Sequence, residues 1–203
     1  MNANLIRDDI DFGAYMASTE TNHKLIPAGA YAEEVADYLL NGQQLRGAML
    51  PWRKTRDLIR FREGEVTLWS GMNGHGKSLA LGQAMVGFVC QRERVCIASF
   101  EMRPVVTLAR MMRQIAGCRH PDREMVLGVH ELWSDWLWLY DQQGQVHAEK
   151  ILAVMRYAVE ELKVKHFVVD SLMKCGIAED DYTAQKLLLG ALCTIARDTG
   201  MHI

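Results

Sequence analysis

The sequence predicts an α/β protein with a mostly parallel sheet covered by helices on both faces. Three observations carry that expectation. Short β-rich runs alternate with helical stretches of ten or more residues, the spacing that crossover connections require. The run His166–Asp170 (HFVVD) is apolar from Phe167 until its last residue, as a strand buried on both faces reads. Between Ser70 and Ser78 a glycine-rich loop joins a β-rich run directly to a helical one. Ligands of such sheets gather at the carboxyl ends of the strands, so polar residues there are the first candidates for function.

Residues 1–49 read as an arm or linker leading into a core that spans residues 50–203. Residues 1–30 are polar and turn-rich. AYAEEVADYLLNG then places Val35, Leu39 and Leu40 at helical spacing before a stopping Gly42, which predicts a short helix. GQQLRGAMLPW reads as a loop punctuated by Pro51. WRKTRDLIRFR (Trp52–Arg62) follows, with Arg53, Lys54, Arg56, Arg60 and Arg62. It is either a solvated helix or a basic patch for nucleic acid or a neighbouring subunit.

In the core, Glu65–Ser70 (EVTLWS) predicts the first strand, and a helix runs from about Lys77 to Gln91. Arg94–Ser99 (RVCIAS) is the next strand. Pro104 opens a helix that Gly117 stops. Trp136–Tyr140 (WLWLY) is a third strand. Its Trp136, Trp138 and Tyr140 alternate with Leu137 and Leu139, which favours core packing over stacking on bases. VHAEKILAVMRYAVEELK is the clearest helix, followed by HFVVD. AQKLLLGALCTIARDTG closes at Gly200, and Met201-His202-Ile203 resembles the opening of a fifth strand.

Composition narrows the function. A net charge of −2 excludes a strongly basic nucleic-acid footprint, so any such contact must be local. The five cysteines form no C-x-x-C pair, and their odd number suits reduced thiols in a cytoplasmic setting. Cys118 and His120 have no second pair at zinc-finger spacing. No leader-like apolar run opens the chain and no stretch is long enough to span a bilayer, so no membrane partner is expected.

Gly71-Met72-Asn73-Gly74-His75-Gly76-Lys77-Ser78 fits G-x-x-x-x-G-K-[ST] at every position. The chemistry demands those residues. Glycines let the backbone curl so that successive N–H groups face phosphate oxygens. The lysine reaches the β and γ phosphates, the serine hydroxyl ligates Mg²⁺, and the helix N-terminus adds its positive end. Met72 and His75 hold free positions of the motif. The loop predicts a nucleoside triphosphate ligand. Asp170 ends its strand where a carboxylate would face the metal beside Ser78. Glu101 ends another strand, either as the carboxylate that polarises water or as a solvated acid at a helix start.

Taken in order, FREGEVTLWSGMNGHGKS, VCIASFEM and HFVVDSL resemble the successive motifs of DnaB-type replicative helicases, whose ATPase core is RecA-like. The Twinkle and phage primase-helicase branch is the most similar. The resemblance covers about Leu50 to Ile203. It implies a RecA-like P-loop NTPase core binding ATP and Mg²⁺. Lys77 and Ser78 would sit on phosphate and metal, Glu101 would be the catalytic carboxylate and Asp170 the Walker B acid. Gln185 matches a position coupling the nucleotide to DNA loops, or is a helix-surface glutamine. Lys174, in SLMKCGIAEDDY, is a candidate DNA-phosphate contact, or part of a solvated loop. Single-stranded DNA and further copies of the chain, in a ring, are the implied partners.

Two departures qualify the resemblance. Only residues 1–49 stand where the family carries a primase or zinc-binding domain. The family pattern also continues beyond Ile203, through a γ-phosphate-sensing strand to an arginine finger, so the C-terminal strands are expected to be missing here. Two alternatives remain open at this stage. One is a recombinase or small-molecule phosphotransferase on the same core. The other is an ATP-binding assembly module with little turnover.

Overall fold

The computed structural model describes residues 5–6, 13, 27–40, 46–178 and 180–203. The expected helix stop at Gly42 lies outside them. The elements in chain order are β1 (Leu5–Ile6), α1 (Ala32–Leu40), β2 (Ala48–Met49), β3 (Arg60–Phe61), α2 (Lys77–Cys90) and β4 (Val95–Ser99). There follow α3 (Pro104–Ala116), α4 (Arg123–Trp133), β5 (Leu137–Tyr140), α5 (Ala148–Glu160), β6 (His166–Asp170) and α6 (Tyr182–Thr199). Short 3₁₀ turns precede α1 and follow β6.

β1, β5, β4 and β6 pair in that order in one parallel sheet, with Ile97 opposite both Leu139 and Val168. Side chains alternate across it, as the pleat requires. Cys96, Ala98, Trp138, Tyr140 and Phe167 pack on one face, against α5 and α6 residues such as Ile151, Met155 and Leu192. Val95, Ile97, Leu137, Leu139 and Val168 pack on the other, against Met85, Phe88, Met111 and Trp133. The expected two-faced sheet is observed, and Trp138 and Tyr140 belong to its core.

Helix ends follow local chemistry. Pro104 opens α3, whose missing N–H costs nothing in a first turn, and Gly117 closes it at φ 63°. The Asp122 and Asp181 carboxylates cap α4 and α6. α1 buries none of its residues, and Val35, Leu39 and Leu40 are all exposed.

Three expectations are corrected, and the expected strand opening at Met201-His202-Ile203 is met by one bridge. Glu65–Ser70 is not a strand by hydrogen-bond ladder. Among the described residues its backbone hydrogen bonds are those of Glu65 O and Thr67 N, both to Ile203. His202 steadies this segment. Its Nδ1–H donates to Arg62 O at 2.7 Å, which leaves Nε2 to accept the Thr67 hydroxyl at 2.9 Å. Met201-His202-Ile203 makes a single parallel bridge, His202 to His166. The stretch Trp52–Arg62 is a series of turns ending in β3, not a helix. Arg60 and Arg62 pair with Asp57 and Glu65. Within the expected loop GQQLRGAMLPW, Ala48–Met49 forms an antiparallel ribbon with β3.

Two elements were not anticipated. β1 brings part of the expected N-terminal arm onto the sheet beside β5, and α4 lies between α3 and β5. Among the described residues no helix is long and apolar enough to cross a membrane.

Candidate functional site

A cavity of about 1080 Å³ opens at the carboxyl ends of β4 and β6. Gly71, Asn73, Gly74, Gly76, Lys77 and Ser78 line it together with Glu101, Asp170 and Lys174. It continues inward between β6 and the segment 66–70. The structure thus brings Lys77, Ser78, Glu101 and Asp170 together, although they are spread over a large part of the chain. Met72, His75 and Gln185 are not among the lining residues.

The loop is shaped by two glycines. Gly74 and Gly76 take φ values of 79° and 83°, a region that costs other residues about 1–2 kcal/mol. An added Cβ at either position would meet nothing within 4 Å. Gly71 has no such dihedral. α2 then begins at Lys77 with no side-chain cap and no acidic residue in its first turn. A helix start leaves N–H groups without intrahelical partners, and here no carboxylate competes for them. Backbone donors and a positive dipole end therefore face the cavity side, an arrangement suited to an anion.

Lys77 supplies a full charge. Its Nζ donates to Gly71 O at 2.7 Å and Met72 O at 3.0 Å, with Asn73 Oδ1 at 3.5 Å. The ammonium is folded back on its own loop, and neutral carbonyls are weaker partners for it than a phosphate oxygen.

Asp170 lies at the end of β6, in register with Ser99 at the end of β4. Its carboxyl is raised above the ordinary carboxylate value, first because burial disfavours the charge and further because Glu101 is a like charge nearby. The Ser78 hydroxyl nearby and the charges of Arg110 and Lys77 oppose that rise. A desolvated carboxylate beside a hydroxyl gains strongly from a cation. Ser78 and Asp170 fit Mg²⁺, which takes one or two protein oxygens and completes its shell with phosphate and water. Among the described residues no cluster of three His, Cys, Asp or Glu side chains that could hold a metal forms, here or elsewhere.

Glu101 is exposed and follows β4 by two residues. Its Oε1 accepts a hydrogen bond from Ser171 Oγ at 3.1 Å. Lys174, half-buried in the turn after β6, lines the cavity wall. The Gln185 amide donates to Ala178 O at 3.2 Å, tying α6 to the loop before it.

Two site residues escaped sequence reasoning. Ser171 carries no motif signal, since its partner is fixed by strand register. Arg110 also lines the cavity. Its signal was in reach: it stands one helical turn before Gln114, whose amide donates to Leu79 O in the first turn of α2.

A scan against protein-family models found none that matches this chain. What the structure defines is an α/β protein with a parallel sheet, helices around it and a glycine-shaped loop at the sheet's carboxyl edge.

Proposed function

We propose that this chain is the RecA-like ATPase core of a ring-type DNA helicase. It would couple Mg·ATP hydrolysis to movement along single-stranded DNA as a homo-oligomer. One observation carries the ATPase part. The uncapped start of α2, with Lys77 and Ser78, shares a cavity with two carboxylates, Asp170 at the end of β6 and Glu101 two residues beyond the neighbouring β4. The helicase part rests on the order of sequence motifs.

In this reading Gly71–Ser78 wraps the phosphates and Lys77 exchanges its loop carbonyls for phosphate oxygens. Ser78 and Asp170 would hold Mg²⁺, which neutralises charge on the β and γ phosphates when bound. Glu101 accepts a proton from the attacking water, a role its exposure permits. In the same reading Lys174, on the cavity wall, would contact a DNA phosphate, and Gln185, bonded to the loop before α6, would couple the nucleotide to the DNA.

The test is steady-state Mg·ATP hydrolysis with and without single-stranded DNA, in the parent protein and Lys77→Ala. DNA-stimulated turnover that Lys77→Ala abolishes supports the motor. ATP binding with no turnover above the variant supports an assembly module. Turnover indifferent to DNA, with a small hydroxylated acceptor consumed, points to the phosphotransferase.

A further inference from the structure

We propose that Ser171 is a positioning residue for Glu101: its hydroxyl fixes one carboxylate oxygen and leaves the other aimed at the attacking water. The inference rests on the reading of Glu101 as the water-directing carboxylate.

The geometry is specific. Ser171 Oγ donates to Glu101 Oε1 at 3.1 Å across a gap of 70 residues in sequence. The backbone beneath this bond is pinned. Ser99 pairs with Asp170, and Phe100 N donates to Asp170 O at 2.8 Å, so the two residues leave neighbouring strands side by side. Ser171 O in turn accepts from Lys174 N at 3.0 Å, which closes the 3₁₀ turn and holds the serine in place.

Glu101 needs such a tether. It is exposed, and among the described residues Ser171 is its one side-chain hydrogen-bond partner. An untied glutamate at the surface samples many rotamers, few of which place a carboxylate oxygen in line with a water and a phosphoryl group. Asp170 and Glu101 also repel one another. Without the serine, that repulsion biases Glu101 away from the metal side, where it would be needed. The hydroxyl has a single proton to donate, so the bond is either made to Glu101 or lost.

Steady-state kinetics on the parent, Ser171→Ala and Ser171→Thr test this. Ser171→Ala lowers kcat by about ten- to a hundredfold, the cost of a misplaced catalytic group, with KM for ATP nearly unchanged. Ser171→Thr, which keeps the hydroxyl, restores most of it. In the nucleotide-free proteins, the side-chain carboxyl carbon resonance of Glu101 shifts in Ser171→Ala and stays in place in Ser171→Thr. An unchanged kcat in Ser171→Ala overturns the inference. So does a raised KM with kcat intact, or a Glu101 resonance indifferent to the hydroxyl. Absence of turnover in the parent overturns the ATPase reading and this role with it. Failure of the inference alone is recognised by parent turnover that persists in Ser171→Ala.

Discussion

Gly76→Ala isolates what the loop's backbone contributes. Gly76 precedes α2 at φ 83°, and a Cβ there meets no atom within 4 Å. The substitution therefore introduces torsional strain without a clash. Left-handed backbone costs a non-glycine residue about 1–2 kcal/mol. If the loop keeps its conformation, the protein loses that much stability, or roughly 2–8 °C in Tm for a chain of this size. If the loop relaxes instead, the competent conformer becomes rare, and Mg·ATP affinity falls by about 5- to 30-fold. Gly71→Ala is the control. Gly71 has no positive φ, and its added Cβ would make ordinary contacts of 3.6 Å with the Lys77 side chain. Gly76→Asn is the rescue, because asparagine enters the left-handed region more readily than alanine. Differential scanning fluorimetry and calorimetric titration with Mg·ATP give both readouts. Equal losses in Gly71→Ala and Gly76→Ala, or no rescue by asparagine, would refute the torsional account.

Three further outcomes follow from burial and charge. Cys90, Cys118 and Cys193 are exposed, whereas Cys96 and Cys175 are buried, the Cys175 thiol pushed up to about 11 by desolvation. A thiol reagent at neutral pH should label three cysteines in the native protein and five after denaturation, as counted by mass spectrometry. Asp170, with its pKa raised in the fold, opposes folding once it is ionised. Asp170→Asn should therefore melt above the parent at pH 7, the gain vanishing as pH falls toward the ordinary 3.8, while Mg²⁺-dependent nucleotide binding weakens. His202 lies below the ordinary 6.5, chiefly through burial. Its contribution is present above that value and lost as pH falls through it, so the parent Tm should drop between pH 7 and 5, and His202→Asn should flatten the slope.

What the sequence made legible were elements whose pattern is local and strong. HFVVD, RVCIAS and WLWLY carry enough apolar residues to be strands whatever surrounds them; the alternation told the faces of Trp138 and Tyr140 against Leu137 and Leu139 correctly, whereas Trp136 precedes the strand and packs with the leucines' cluster. Glu65–Ser70 misled because strand identity belongs to a pair: the run is β-rich, but among the described residues its backbone hydrogen bonds stop at Glu65 and Thr67, and Leu68 stays exposed. β2 and β3 have two residues each, too few for any period to show. α4 was signalled by Asp122 followed by Arg-Glu-Met and was masked by Gly128 and the surrounding polar residues. At the site, the glycines, Lys77, Ser78 and Asp170 were readable because their chemistry fixes their spacing. Ser171 was not, since only the register of β4 against β6 sets it beside Glu101.

In the proposed reading, loop 71–78 holds a nucleotide and Glu101 directs the water that attacks it. The decisive experiment is single-turnover hydrolysis of Mg·ATP by the parent and Glu101→Gln, with ATP affinity measured alongside in both and in Lys77→Ala. Glu101→Gln should bind ATP as the parent does but hydrolyse it about a hundredfold or more slowly. Lys77→Ala should lose affinity by about tenfold or more with its charged hydrogen bond. Parent-like hydrolysis by Glu101→Gln, or parent-like binding by Lys77→Ala, would contradict that reading.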